Sequence, residues 1–409
     1  MMAGRLLFLA HRLPYPPDKG DRIRSWHMLE YLSRHWEIDL GCLSDDPTDF
    51  DHLPKLRNYC ADIRCEPVGS GLVPALRALW RARPGRPLTL GWFHSAALQS
   101  WVRERHAARR HDAIFAYSSA MAPFVMALPP GARRVLDLVD VDSEKWLAYA
   151  AASRLPQRAV WAREARTLLA FERSAAAAFD HTILVSKEEA QRFVELAPET
   201  ADRVDYVDNG VELARFDPAI DYPSPYDGAG PALVFTGTMD YRPNVEAVRW
   251  FAQQVMPLLR AMEWPAGAPQ FHIVGARPND AVRALAALPG VFVTGRVPDT
   301  RPYIAHAAAA VAPLQIARGI QNKVLESMAL ARPVVASPAA FEGVRAQPGR
   351  DLLVADGAEA WAATLRAVLL GHHPGIGAAG RVAVQRGHDW AATLRRLDPL
   401  LERRLVGAS

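Results

Sequence analysis

The 409-residue chain is half hydrophobic and 22% charged, with a net charge of +4 supplied by arginine rather than lysine. These values fit a soluble globular protein and exclude a disordered or fibrous one, and the length asks for two domains of about 200 residues each. No apolar run approaches the ~18 residues that span a bilayer, and Cys42, Cys60 and Cys65 have no metal-ligand spacing and cannot pair completely, which points to a reducing cytoplasm.

In chain order, Arg5 to Ala10 reads as a buried first strand rather than a signal peptide, since no cleavage-site pattern precedes Pro14. The loop LPYPPDKGD follows. Its Gly20 permits close backbone approach, and the helix expected from about Ile23 to His35 aims its positive end at the loop; this is either an anion site or a plain Pro-Gly turn. Strands are then expected at Ile38 to Leu43, Ala113 to Ala116, Arg134 to Leu138, Thr182 to Val185 and Val204 to Val207, with the longest helix from about Gln157 to Phe179. Arginines cluster at Arg103, Arg105, Arg109 and Arg110 and again at Arg154, Arg158, Arg163 and Arg166. Such clusters either meet anionic lipid headgroups or phosphate-bearing substrates, or form a solvated helix face. No aromatic-interleaved basic platform is present, so nucleic acid is not an expected partner. In LDLVDVD, Asp137, Asp140 and Asp142 cluster near a strand end, where they suit acid–base work, a metal, or helix capping; Asp142 favours the cap. Asn209-Gly210 is a tight turn.

The Pro-, Asp- and Gly-rich stretch Asp217 to Pro231 marks a linker. Beyond it, ALVFTG, FHIVG, VFVTG, AAVAPL and PVVAS are five apolar strands, each followed by punctuation and a helical stretch. Such alternation implies α/β architecture: two Rossmann-like, doubly wound domains with parallel sheets, facing across a cleft at their strands' carboxyl ends. After the first of these strands, Gly237 and Thr238 offer donors, Arg242 a cation and Asn244 a cap or ligand contact. Arg296 and Val297 close another strand, with backbone groups able to read the edge of a base. The densest signal is PLQIARGIQNKVLESMA. A strand runs into a loop holding Arg318, Gly319, Ile320, Gln321, Asn322 and Lys323, and a helix begins with Glu326 near its start. A glycine turn, two cations and free N–H groups at a helix N-terminus form a layout that holds phosphate, and Glu326 is close enough to accept sugar hydroxyls.

HRLPYPPDKGDR, VSKEEAQRF, VDNGVELARFDP, FTGTMDYRPNVEAVRWF and GIQNKVLESMALARPVVAS, in that order, resemble the family-four glycosyltransferases of GT-B fold over almost the whole chain. The wording is most similar to sugar transferases encoded beside exopolysaccharide and exosortase (PEP-CTERM) gene clusters. The resemblance implies an acceptor-side domain at 1–215, a nucleotide-sugar-binding domain at 216–388, and a final helix within 389–409, around Asp389 to Leu405, returning to the first domain. It implies that Glu326 contacts the ribose, that Lys323 and the Gly319 to Asn322 backbone face the diphosphate with Gly237 and Arg242, and that Gly20 approaches from the other domain. Arg318 stands where the family carries a first glutamate, and Asp140 occupies the family's histidine position. The implied activity is retaining transfer of a sugar from a nucleotide-diphosphate donor to a hydroxyl of a glycan or lipid-linked acceptor. Lys323 and Asp140 are its catalytic residues, and neither a metal nor another cofactor is expected. The chain is expected in the cytoplasm, peripheral to an anionic membrane surface. A nucleotide-sugar epimerase or a non-catalytic nucleotide-sugar-binding protein stands as the alternative.

Overall fold

A computed structural model describes residues 4–402 apart from 18–19, 70–71, 82, 229 and 318. Seven parallel strands form the first sheet: β1 (Gly4–Ala10), β2 (Trp36–Ser44), β3 (Asp62–Pro67), β4 (Ala113–Tyr117), β5 (Arg133–Val139), β6 (His181–Leu184) and β7 (Val204–Tyr206), in the order β3-β2-β1-β4-β5-β6-β7. Six form the second: β8 (Ala232–Thr236), β9 (Gln270–Val274), β10 (Val291–Gly295), β11 (Ala309–Ala312), β12 (Val334–Ala336) and β13 (Leu353–Val354), in the order β10-β9-β8-β11-β12-β13. Every named pairing is parallel, and each sheet changes winding direction once, between β1 and β4 and between β8 and β11. The central strands are buried along their length, as expected where helices cover both faces: Leu6 to Ala10 and Ala113 to Ala116 are fully enclosed.

The contacts divide the chain into two compact units. One runs to Asp208 and includes the residues from Leu394 onward; the other is Asn209–Thr393. In the first unit the terminal segment is tied down by Tyr31, which donates to Asp398, by Arg133 on the carbonyl of Leu400, and by Arg396 on Asp205. In the second, the two ends of the unit are stapled together. Val211 pairs with Asp389, and the buried His388 bonds through Nδ1 to the Asn209 carbonyl and accepts the Arg345 amide at Nε2. Those partners require Nδ1 to carry the proton, and burial pulls the imidazole pKa down to about 4, so the ring is neutral. Gly210 has no alternative at this crossing, since a Cβ there would lie 2.7 Å from the Trp390 amide nitrogen.

Several sequence expectations need correcting. The first helix is Gly20–Leu32, starting three residues earlier than the pattern suggested. Strand β3 is an unanticipated half-exposed edge carrying charges, and β13 has only two residues. The single helix expected around Asp389 to Leu405 is instead three short pieces, Trp390–Thr393, a 3-10 turn at Leu394–Leu397, and Asp398–Leu401; Pro399 lacks the amide hydrogen that a continuous helix would need there. The part of that expectation beyond residue 402 lies outside the described residues. Asp142 is not the cap of its helix: it is the first residue of Asp142–Ala151, 3.7 Å from Lys145. The exposed donors are met from elsewhere, with Glu189 accepting the Val141 amide and Glu172 accepting both the amide and the hydroxyl of Ser143.

Candidate functional site

In doubly wound sheets the crevice outside the carboxyl ends of the strands, at the point where winding reverses, is the place for a ligand. In the second unit that point lies between β8 and β11. The loop after β8 carries Gly237 and Thr238; the loop after β11 leads through Gly319 and Ile320 to the helix Asn322–Ala329. A direct bond joins the two loops: Lys323 Nζ lies 2.9 Å from Asn244 Oδ1, and Asn244 Nδ2 donates to the Thr238 carbonyl at 2.9 Å. The ammonium also sits 4.8 Å above the Phe235 ring. Burial pulls its pKa down to about 8, against the opposing field of Glu326. A cation held here by a neutral amide and an aromatic face, with no ion pair within 4 Å among the described residues, favours an incoming anion.

The Asn322–Ala329 helix opens at Gln321, whose side chain makes no capping bond, so the first amides of the helix are left facing the loop. Gly319 adopts φ 62°, a left-handed turn that glycine makes without strain, and Gln321 donates to its carbonyl. Ile320 is buried in the core, leaving only its backbone to the loop. Asn209 bonds to Asn322 at 3.3 Å, so the Asn-Gly turn braces the start of this helix, a role the dipeptide alone does not disclose. Glu326, one turn on, has no hydrogen-bond partner among the described residues; burial pushes its pKa up, while Arg215 and Lys323 oppose the rise. Arg318 lies outside the described residues, as do Asp18 and Lys19 of the first loop.

Other expected contacts are less direct. Arg242 begins the helix Arg242–Trp250 but holds Glu246 at 2.7 Å, so its charge is partly neutralised before any ligand arrives. Asn244 serves Lys323 and Thr238 rather than capping its helix. Arg296 is exposed after β10, two strands (about 10 Å) from β8, and Val297 packs on the core. The approach of β8 and β9 is instead set by glycine: a Cβ on Gly275, at φ 154°, would fall 1.7 Å from the Gly237 carbonyl oxygen. Gly275→Ala is therefore expected to destabilise the chain by on the order of 2 kcal/mol and to displace the Gly237 loop, measured as a lowered melting temperature.

The first unit gathers a second set of groups at its own β1/β4 reversal. His11 follows β1, stacks on Tyr117 at the end of β4 (5.7 Å) and lies 3.5 Å from Asp21; Arg12 also binds Asp21, at 2.6 Å. Burial opposes ionisation of Asp21, but the His11 hydrogen bond and the Arg12 charge overcome it and hold the carboxyl far below its usual range. His11 Nδ1 is enclosed with no partner. In the sequence His11 and Arg12 only open the segment HRLPYPPDKGDR after the first strand, and nothing there discloses their shared hold on Asp21. Gly20 is the first residue of the neighbouring helix.

At the end of β5, Asp137 is fully buried and held by Arg24 at 2.8 Å, and Arg24 also donates to the Val207 carbonyl. This removes Asp137 from any shared metal site; among the described residues no group of three or more His, Cys, Asp or Glu is set to hold a metal ion. Val139 sits at φ 68°, a strained conformation for a β-branched residue, with its amide on Asp137 Oδ1 at 2.9 Å and a break in register against β6. That kink delivers Asp140. Its Oδ1 is enclosed without a hydrogen bond, and burial together with the charges of Glu189 and Asp142 pushes its pKa up to about 7.

No curated protein matches the chain. Among solved structures, sucrose-phosphate synthase from Thermosynechococcus elongatus superimposes with TM-score 0.70 at 18% identity, covering 97% of this chain and 98% of that one. Alr3699/HepE of Anabaena, solved with UDP-glucose, gives 0.67 at 13% identity over 97% and 99%. A glycosyltransferase from Rickettsia africae gives 0.63 at 14% identity, covering 98% of each chain. The two-sheet α/β fold is thus that of the GT-B glycosyltransferases, and residues 230–370, which contain the β8/β11 crevice, match the family described as glycosyl transferases group 1.

Proposed function

We propose that the chain is a glycosyltransferase that moves a sugar from a nucleotide-diphosphate donor to a hydroxyl of a glycan or lipid-linked acceptor, with retention, in exopolysaccharide biosynthesis. One observation carries the reading: Lys323, hydrogen-bonded to the neutral Asn244 amide, stands at an uncapped helix start where the second sheet reverses, inside the segment that matches a glycosyltransferase family. A structural neighbour that binds UDP and UDP-glucose supports a nucleotide-sugar ligand.

In this mechanism the anomeric carbon exchanges its bond to the diphosphate for one to the acceptor oxygen; the diphosphate leaves with the electron pair, and its departing oxygen takes up the proton that the acceptor hydroxyl loses. Lys323 and the amides from Gly319 to Asn322 stabilise the charge that develops there; Arg242 adds a weaker field because Glu246 shares it. Protein cations and amides thereby do the work a divalent metal does elsewhere. Glu326 accepts from the ribose hydroxyls, and Asp140 orients the acceptor hydroxyl or donor sugar. The setting is cytoplasmic, against the inner face of a membrane; no helix among the described residues is long and apolar enough to cross it.

A thermal-shift panel of UDP-, GDP-, dTDP- and ADP-sugars tests the donor. A ligand at about 100 times its dissociation constant stabilises the fold by about 2.7 kcal/mol, a rise of several degrees. If none of the four shifts the transition, the reading fails. Incubating the stabilising donor alone separates the alternatives, since an epimerase would isomerise it with no acceptor present.

A further inference from the structure

We infer that one face of the first unit docks on an anionic lipid bilayer. The face is built from the helix Leu72–Trp80, the loop that follows it, and the start of the helix Gln157–Ala178. These pieces are packed into one surface. The Leu88–Trp92 helix lies so close to Leu72–Trp80 that a Cβ on Gly91 would touch the Ala78 backbone at 2.8 Å. Arg163 donates to the carbonyls of Arg83 and Arg86, and Glu164 accepts the amides of Leu88 and Thr89. Trp146 stacks on Trp161 at 4.9 Å, which fixes the helix Asp142–Ala151 beside them.

Large apolar side chains project from this face into solvent: Trp80 is 84% exposed, Leu155 77% and Leu76 63%. Single exposed leucines are ordinary; a tryptophan with two leucines on adjoining elements marks a contact surface. The charge around them identifies the partner. Between Glu66 and Glu104, and again between Glu144 and Glu164, the sequence contains no acidic residue, whereas Arg77, Arg81, Arg83, Arg86, Arg154 and Arg158 all fall within those stretches. Arg154 and Arg158 are exposed, and Arg81 lies against the Trp80 ring at 6.0 Å. Tryptophan and leucine beside the exposed Arg154 and Arg158 fit the boundary between acyl chains and anionic headgroups. The cluster at Arg103 to Arg110 is not part of this surface in the same way, because Arg105 and Arg109 are committed to Asp39, Asp62 and Glu37.

The test is co-sedimentation of the full chain with vesicles of phosphatidylglycerol and phosphatidylcholine, compared with phosphatidylcholine alone. Binding should require phosphatidylglycerol and weaken as salt rises, because the Debye length shortens from about 10 Å at 0.1 M to about 3 Å at 1 M. Leu76→Glu with Trp80→Glu should lower the bound fraction more than about tenfold, and Arg154→Glu with Arg158→Glu by at least as much, at about fivefold per cation removed. Melting should be unchanged, since these side chains are exposed. Equal binding to both vesicle types, no binding to either, or wild-type binding by the substituted chains would overturn the proposal. Self-association abolished by the Leu76 and Trp80 changes, without lipid binding, would assign the face to a second copy of the chain and overturn it equally. No donor or turnover enters this measurement, so its outcome is independent of the sugar-transfer reading.

Discussion

Lys323→Ala is expected to lower turnover by on the order of a hundredfold without lowering the melting temperature. Preorganised donors aimed at a departing oxyanion are worth about 3 kcal/mol each, and Lys323 is the cation nearest the uncapped helix start among the described residues. Folding depends on it little, because its burial penalises the charged form: the pKa falls to about 8, from about 10.4 in an unfolded chain. The sign follows from proton counting. Between pH about 8 and 10.4 the unfolded chain binds this proton more firmly than the folded one, so stability contributed by this group rises with pH across that window. Lys323→Ala should remove the rise. Donor affinity should move the opposite way in the wild type, declining above pH about 8 as the ammonium is lost, and the variant should lack that decline. Turnover equal to the wild type would discard the assignment, and titration calorimetry with the stabilising donor's nucleoside diphosphate would show whether binding or chemistry was lost.

Asp140→Asn is expected to make the protein more stable and less active at once. The Asp140 carboxyl is enclosed on one oxygen, unpartnered there, and faces Glu189 and Asp142, which together with burial push its pKa up to about 7, from about 3.9 unfolded. A folded pKa above the unfolded one means that the folded state holds the extra proton between pH about 4 and 7, so stability falls as pH rises through that window. Asparagine carries no charge and escapes the penalty. At pH 8 the variant should gain on the order of 1–2 kcal/mol, a figure kept below the full pKa difference because the side chain is partly open to solvent. Turnover should fall by about a hundredfold if the carboxylate orients a reacting hydroxyl, and the acidic limb of the wild-type profile near pH 7 should vanish. Denaturant melts at pH 5 and pH 8, read beside the rate profile, check both halves. A loss of stability at pH 8 would show that the buried oxygen is not the source of strain.

The alternation of strand and helix was legible because parallel strands covered on both faces write continuous apolar runs, as in LLFLA and ALVFT. The edge strands β3 and β13 carry no such run. β3 reads DIRCEP, half-exposed and charged, and β13 is two residues long, so neither rises above the loops around it. Within the site, the Gly319 to Glu326 segment was visible because its residues are contiguous. What the sequence does not carry is which side chains are already engaged. Arg242 and Lys323 look alike as cations in a loop, yet one is paired with Glu246 and the other is held by Asn244 and Phe235. Asp137, Asp140 and Asp142 look alike as carboxylates. The fold gives the first to Arg24, leaves the second enclosed and unbonded, and sets the third beside Lys145 in the opening turn of a helix. The partners of Asp137 and Lys323 come from chain segments 113 and 79 residues away, whereas those of Arg242 and Asp142 lie four and three residues along the same helix.

The staple of His388 on Asn209, with Val211 paired to Asp389, means that the second unit enters and leaves the chain through neighbouring points. A segment whose ends meet behaves as a cassette. It can be excised, transplanted into another host chain or permuted without stretching its backbone, and domain insertion succeeds at such places. Recombination acting on the chain would therefore find the Asn209–Thr393 segment a ready unit of exchange.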